Sequence, residues 1–95
     1  MVTIRIADHV KQASTYDDGQ VIFNLIADKL GKDDQVAVSF EGIQAVPSAF
    51  VNAAFLQLLE VATLDTIRRK LSIQDSTKFI NDLIRSRFEF VANQH

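Results

Sequence analysis

The chain lacks cysteine altogether, and it has one proline and three glycines in 95 residues. Without cysteine it can form no disulfide, no thiolate zinc site and no cysteine nucleophile. Its formal net charge of −2 provides no basic field for nucleic acid or an anionic membrane. No segment approaches about 20 uninterrupted apolar residues, so we expect no transmembrane helix. The first ten residues lack an apolar run of signal-peptide length, which makes the cytoplasm the expected location.

Hydrophobic residues make up 47% of the chain and charged residues 23%, which is typical of a globular protein. The length predicts a single domain over residues 1–95. A domain of this size has a small core, so a homo-oligomer is a reasonable route to extra stability.

Hydrophobic periodicity predicts three strands and three helices. Alternating apolar residues indicate strands at 2–6, at 36–40 and from about residue 67 to 74. Apolar residues at helical spacing predict three helices. The first starts at an acidic cap at Asp17–Asp18, the second runs from Ser48 to about Val61, and the third is capped by Asp75 or Ser76. Gly31 is expected to end the first helix. Residues 88–91 fit either the last helix or a short strand.

The predicted order is β-α-β-α-β-α, which implies parallel strands joined by right-handed crossovers. In all three strands one row is apolar and the other is polar or small, whereas parallel strands buried on both faces are normally apolar throughout. We therefore expect an α/β domain of two layers. Its sheet order is 1-2-3, helices cover mainly one face, and the second face is solvated or holds a partner.

The second predicted helix is almost uncharged, because Glu60 is the only charged residue between Ser48 and Thr63. A surface helix needs a polar face, so this helix is either buried or covered by a partner. The segment that leads into it is a candidate functional region.

Catalytic residue types are scarce. His9 follows the first strand beside Asp8, and His95 is the last residue. The acidic pairs Asp17–Asp18 and Asp33–Asp34 stand at element boundaries, where capping explains them better than acid-base chemistry. The glycines are isolated, so no nucleotide-binding fingerprint is present. We predict no enzyme activity, no metal site and no cofactor.

Two further features have a structural and a functional interpretation. Arg68-Arg69-Lys70 is the one basic cluster, and it is either a solvated strand start or a modest docking patch for a partner. Ser48 is favoured as a helix N-cap, and the alternative is phosphorylation at that position.

One long motif resembles a known family. Phe40-Glu41-Gly42-Ile43, Val46-Pro47-Ser48-Ala49-Phe50, Asn52, Ala54-Phe55 and Leu58 are similar to the pattern of the STAS-like domain of unknown function DUF4325. The Asp18–Gly19 helix start and the later strand, cap and helix agree in order. The resemblance covers most of the chain and implies a STAS-like fold.

More distantly, the chain resembles the STAS domains of anti-sigma-factor antagonists. Those bacterial proteins bind a GHKL-type ATP-binding kinase that phosphorylates a serine at a helix N-terminus. Ser48 matches the first serine of their pattern, while Pro47, Ala49 and Phe50 replace its Asp, second Ser and Gly. The resemblance implies a protein partner, possible phosphorylation of Ser48, and a binding region that contains Gly42, Pro47, Ser48, Ala49, Phe50 and Asn52.

Three functions follow as hypotheses. The leading one is a non-enzymatic regulatory module that pairs with an ATP-binding, kinase-like protein. The second is a structural homodimer, formed through the second helix with Phe50 and Phe55 or through the open sheet face. The third is a small-molecule or nucleotide sensor that uses the helix N-terminus as an anion site.

Overall fold

The computed structural model describes residues 2–32 and 34–92, which form a three-stranded sheet with four α-helices. The strands are β1 (Val2–Arg5), β2 (Val36–Ser39) and β3 (Leu71–Gln74). The helices are α1 (Tyr16–Gly31), α2 (Ser48–Ala54), α3 (Leu64–Lys70) and α4 (Lys78–Ala92). Short 3-10 helices span Ile6–Asp8 and Leu56–Glu60.

The predicted sheet is confirmed. All three strands are parallel in the order β1-β2-β3, with Val2 beside Val36 and Val36 beside Leu71. The apolar rows of the strands join side chains of α1, α2 and α4 in one core. The molecule is therefore an α/β domain with its helices packed over one sheet face, as the one-sided strand pattern predicts.

The opposite face of the sheet is open at its margins but not at its centre. Thr3 and Ser72 are exposed, whereas Ala37 between them is 0% exposed and Ser39 is 4% exposed. A central strand is shielded on each side by its neighbours, so small residues there are covered without a second layer of helices. The prediction of one solvated face holds for β1 and β3, and β2 is buried on both rows.

Helix α1 begins earlier than the acidic pair suggested. Thr15 is the N-cap residue, and its hydroxyl accepts from the Asp18 amide at 3.0 Å while the Asp18 carboxylate accepts from the Thr15 amide at 3.3 Å. This is a capping box in which Asp18 occupies the third helical position. Asp18 therefore stabilises the helix start from inside, and the cap predicted at Asp17–Asp18 is wrong by two to three residues.

The segment between β2 and β3 differs most from expectation. After Ala54 the helix changes to the 3-10 helix Leu56–Glu60, although no glycine or proline marks the change. Residues 67–70, expected as the start of the third strand, belong to α3, which is capped by Thr63. Basic residues in the last turn of α3 favour helix because they complement its dipole. The order is thus β-α-β-α-α-β-α.

Helix α4 starts after Thr77, whose hydroxyl accepts from the Ile80 amide at 3.2 Å. The caps predicted at Asp75 or Ser76 are therefore wrong by one or two residues. Residues 88–91 continue α4, so the helical alternative for this segment is correct.

The uncharged helix α2 is buried by its own chain. Phe50, Val51, Ala54 and Phe55 are all 0% exposed, and Phe55 packs against Phe40 with ring centroids 6.1 Å apart. Burial explains the missing polar face. These side chains are not available as a homodimer core, so that version of the homodimer hypothesis is wrong.

Helices α1 and α2 share the most extensive helix contact in the domain. At its centre Gly19 leaves no room for a side chain, because a β-carbon there would lie 2.6 Å from Ala53 Cβ and 2.7 Å from the Phe50 carbonyl oxygen. Next to it, Gln20 Nε2 donates to Gln57 Oε1 at 2.9 Å, and Gln57 donates in turn to the Tyr16 hydroxyl. A glycine inside a helix costs stability, and here it permits backbone contact between two helices.

Within the described residues no single helix is both long and apolar enough to cross a membrane. The segments Ser48–Glu60 and Leu64–Lys70 meet that length and composition only when taken together, and they are bent by 115° relative to each other.

Replacing Gly19 by alanine is expected to lower the free energy of unfolding by about 1–3 kcal/mol, since the added methyl group must push α1 away from α2. Urea denaturation followed by circular dichroism measures the change. Gly31→Ala is the matched control, because nothing lies within 4 Å of its added methyl group. That control should be as stable as the wild type or more stable by up to about 1 kcal/mol, because alanine has the higher helix propensity. Equal stability of the two variants would contradict the tight packing at Gly19.

Candidate functional site

The carboxyl ends of the three strands lie at one edge of the sheet, which is where parallel α/β folds place their binding sites. The β2–α2 loop, residues 40–47, leaves this edge after β2. Gly42 has a φ of +83°, a left-handed conformation that glycine adopts without strain. The Ile43 amide donates to the Phe40 carbonyl at 2.8 Å and closes the turn. The loop therefore begins with a defined turn.

The rest of the loop is fastened to the domain at two points. Val46 is 4% exposed and belongs to the core. The Thr77 hydroxyl donates to the Gln44 carbonyl at 3.2 Å, which ties the loop to the start of α4. Around these anchors the side chains of Gln44, Ala45 and Pro47 are exposed. The loop is therefore held against the domain while it presents these side chains to solvent.

A buried serine connects β2 to β3 at the same edge. The Ser39 hydroxyl donates to Asp75 Oδ2 at 2.8 Å and accepts from the Glu41 amide at 3.2 Å. Asp75 follows β3 directly and has a φ of +54°, which aspartate tolerates better than most residues. This chain of hydrogen bonds holds the ends of two neighbouring strands together beneath the loop.

Charged residues at this edge are paired across the surface. Arg5 Nη1 lies 3.3 Å from Asp8 Oδ1, and Arg5 Nε lies 3.4 Å from Glu41 Oε2. All three side chains are substantially exposed, so these pairs contribute little to stability. The pairs neutralise the charged side chains next to the loop. The loop and the start of α2, from Gly42 to Ala49, contain no charged residue.

The structure separates the six predicted binding residues into three groups. Gly42, Pro47, Ser48 and Ala49 are exposed on one continuous segment. Phe50 is fully buried under that segment, so it supports the surface and cannot touch a partner. Asn52 is half-buried, and its side-chain oxygen accepts from Arg87 Nε at 3.1 Å, which links α2 to α4.

Ser48 does not cap helix α2. Pro47 occupies the N-cap position, its carbonyl accepts from the Phe50 amide at 3.1 Å, and no side chain caps this helix. The prediction of Ser48 as the cap is therefore wrong. Its side chain is exposed, and among the described residues it takes part in no hydrogen bond.

The other residues considered for chemistry are not brought together. The Asp8 carboxylate contacts Arg5 and is not used to orient His9, which is exposed. Asp18 is engaged in the cap of α1. Over residues 2–32 and 34–92 no three His, Asp or Glu residues are grouped to hold a metal ion. Asp33 and His95 lie outside the described residues.

Sequence reasoning missed the pairing of Ser39 with Asp75. Each residue ends a strand or follows one directly, and neighbouring parallel strands bring such positions together. The sequence places both residues at strand ends, whereas its local pattern predicts only a helix cap at Asp75.

The family model described as STAS-like domain of unknown function (DUF4325) matches residues 18–81. That range contains α1 except its first two residues, then β2, α2, α3, β3 and the first residues of α4. No curated protein and no solved structure matches the chain significantly.

Replacing Asp75 by alanine should lower the free energy of unfolding by about 1–3 kcal/mol, because it removes the Ser39 contact and leaves a residue that tolerates positive φ less well than aspartate does. Asp75→Asn is the matched variant, since its amide oxygen still accepts from Ser39 and asparagine tolerates positive φ. It should remain within about 1 kcal/mol of the wild type by urea denaturation. Equal losses in both variants would show that the hydrogen bond contributes nothing.

Proposed function

Because the chain belongs to the STAS-like family DUF4325, we propose that it is a non-enzymatic regulatory module that binds a protein partner through the loop before α2. The observation that carries the proposal is the segment Gly42–Ala49, which is uncharged along its whole length, mostly exposed, and anchored by buried Val46 and by the bond from Thr77 to Gln44. Protein interfaces are depleted in charge at their centre. A fixed loop also loses little entropy when it binds.

The local hydrogen bonds support this use of the loop. Thr77 holds Gln44, and Ser39 holds the Glu41 amide, so the loop is supported from the start of α4 and from the end of β2. Such bonds preorganise a surface before the partner arrives. The partner that fits the family resemblance is an ATP-binding regulator of the GHKL type.

The scarcity of reactive groups at this edge supports binding over catalysis. Its histidine, His9, is exposed and is not oriented by Asp8. The Asp75 carboxylate is committed to Ser39, and Glu41 is paired with Arg5. These polar groups shape the loop, and we assign none of them a catalytic role.

The substitution Ala49→Arg tests the surface without touching the core. Ala49 is exposed in the first turn of α2, so a long cation there blocks docking while the domain stays folded. Affinity purification with mass spectrometry should recover an ATP-binding regulator with the wild type and lose it with Ala49→Arg. Asn24→Arg, at an exposed position of α1, is the matched control and should retain the partner. Recovery of the same partner by both variants would refute the proposed surface.

Ser48 offers a second test of the same surface. Ser48→Glu adds negative charge in the first turn of α2, where the helix dipole favours it, so the fold should be kept. We expect this variant to bind the recovered partner at least about tenfold more weakly, because a charge is introduced into an uncharged contact. Ser48→Ala should bind like the wild type in isothermal titration calorimetry. Unchanged affinity in Ser48→Glu would place Ser48 outside the contact.

A further inference from the structure

Strand β3 is an edge of the sheet, and part of its backbone faces away from β2. The Gln74 carbonyl accepts from the Phe40 amide at 2.9 Å, so residue 74 faces β2. Successive residues of a strand point their backbone groups to opposite sides. The backbone N–H and C=O groups of Leu71 and Ile73 therefore point away from β2. The Leu71 amide is used by the Ile67 carbonyl at the end of α3. Within residues 2–32 and 34–92, the Leu71 carbonyl and the backbone N–H and C=O groups of Ile73 have no hydrogen-bond partner and remain for a neighbouring strand.

The two edges of the sheet differ in character. The Val2 amide donates to the Gln35 carbonyl, so Thr3 and Arg5 are the outward residues of β1. Arg5 is held there by Asp8 and Glu41. Charged side chains protect an edge strand against strand pairing. β3 has no such protection at its outward residues, since these are leucine and isoleucine.

An apolar groove of about 190 Å³ lies over the same strand. It is lined by Leu71 and Ile73 of β3, by Leu64 and Ile67 of α3, and by Ile84 and Phe88 of α4. Leu71 and Ile73 are only half-buried, although the equivalent residues of β2 are fully buried. The groove is thus a place where apolar surface of the core layer is left uncovered beside unpaired backbone.

Basic side chains outnumber acidic ones in the lining of the groove. Among the described residues, the charged ones that line it are Arg68 of α3 and Arg85 and Glu89 of α4. Arg85 has a long contact with Asp82, at 3.7 Å, in which both side chains are exposed. Two copies of this groove facing each other would bring arginines together. The charge therefore favours an acidic occupant over a second copy of the chain.

We propose that the edge of β3 is a second protein-binding surface, where an extended acidic segment of a partner adds a strand to the sheet. Main-chain hydrogen bonds to Ile73 and Leu71 give such an addition its affinity, and alternate side chains give it specificity. Apolar side chains of the segment would enter the groove at every second position. Flanking carboxylates would meet Arg68 and Arg85.

This surface is independent of the β2–α2 loop. The loop leaves the carboxyl end of β2, whereas the groove uses the outer margin of β3 together with α3 and α4. Loss of one surface should leave the other intact. A variant that fails at the groove therefore leaves the function proposed for the loop unaffected.

Selection from a random dodecapeptide library displayed on phage, against the purified wild-type chain, tests the proposal. We expect enriched sequences in which apolar residues alternate and acidic residues flank them. Methylating the backbone nitrogens that face β3 should abolish binding of the best synthetic peptide. In a nitrogen-15 NMR titration, the largest shifts should fall on the amides of Leu71–Gln74 and on the groove side of α4.

Charge reversal provides the matched comparison. The double variant Arg68→Glu and Arg85→Glu should bind the peptide at least about tenfold more weakly at low salt. The control with Arg69→Glu and Lys11→Glu makes the same change in net charge at two exposed residues that do not line the groove, and should bind normally. Equal loss in both would reduce the effect to net charge and overturn the proposal.

Three other outcomes would also overturn the proposal. Enriched peptides with helical spacing would assign the groove to a helix, and a lack of enrichment would leave the edge without a peptide ligand. A concentration-dependent dimer in sedimentation equilibrium that the double variant abolishes would assign the groove to a second copy.

Discussion

The contact between α1 and α2 at Gly19 is the constraint on which the rest of the structure depends. With no side chain at Gly19, α1 lies against the backbone of α2, next to Ala53 and the Phe50 carbonyl. Both helices can then cover the apolar face of a sheet that has only three strands. Phe50 and Phe55 are consequently enclosed by the chain itself, and the small core gains its largest side chains.

Burial of α2 determines which part of this region meets solvent. Its side chains point inward, so the exposed part is the loop before it and the first turn, up to Ala49. The loop cannot move freely, because Val46 is in the core and Gln44 is held by Thr77. An uncharged helix thus leaves an exposed, uncharged surface in the segment that leads into it and not along its length. The lack of charged residues predicts that α2 is covered. The same lack of charge extends through the loop before α2 and marks the exposed surface there.

Much of this fold could be predicted from the sequence because its strands alternate so clearly. The parallel order and the one-sided core follow from that alternation and from the handedness of crossovers. Errors arose where local signals competed. Leu71 and Ile73 alternate, and extending that pattern back to Ile67 hid the Thr63 cap and the basic last turn of α3. Burial of Ala37 and Ser39, and the pairing of Ser39 with Asp75, depend on neighbouring strands, which a periodic pattern does not report.

The short segment after β3 connects both surfaces. Asp75 ends the strand and binds Ser39, while Thr77, two residues later, holds the loop at Gln44 and caps α4. α4 in turn forms a wall of the groove over β3. A strand added at Ile73 would therefore act on a strand whose end is fastened to the loop. The two surfaces use different residues and can be lost separately, yet Asp75 and Thr77 help to fix the position of each, because one holds the end of β2 and the other holds both the loop and the start of α4.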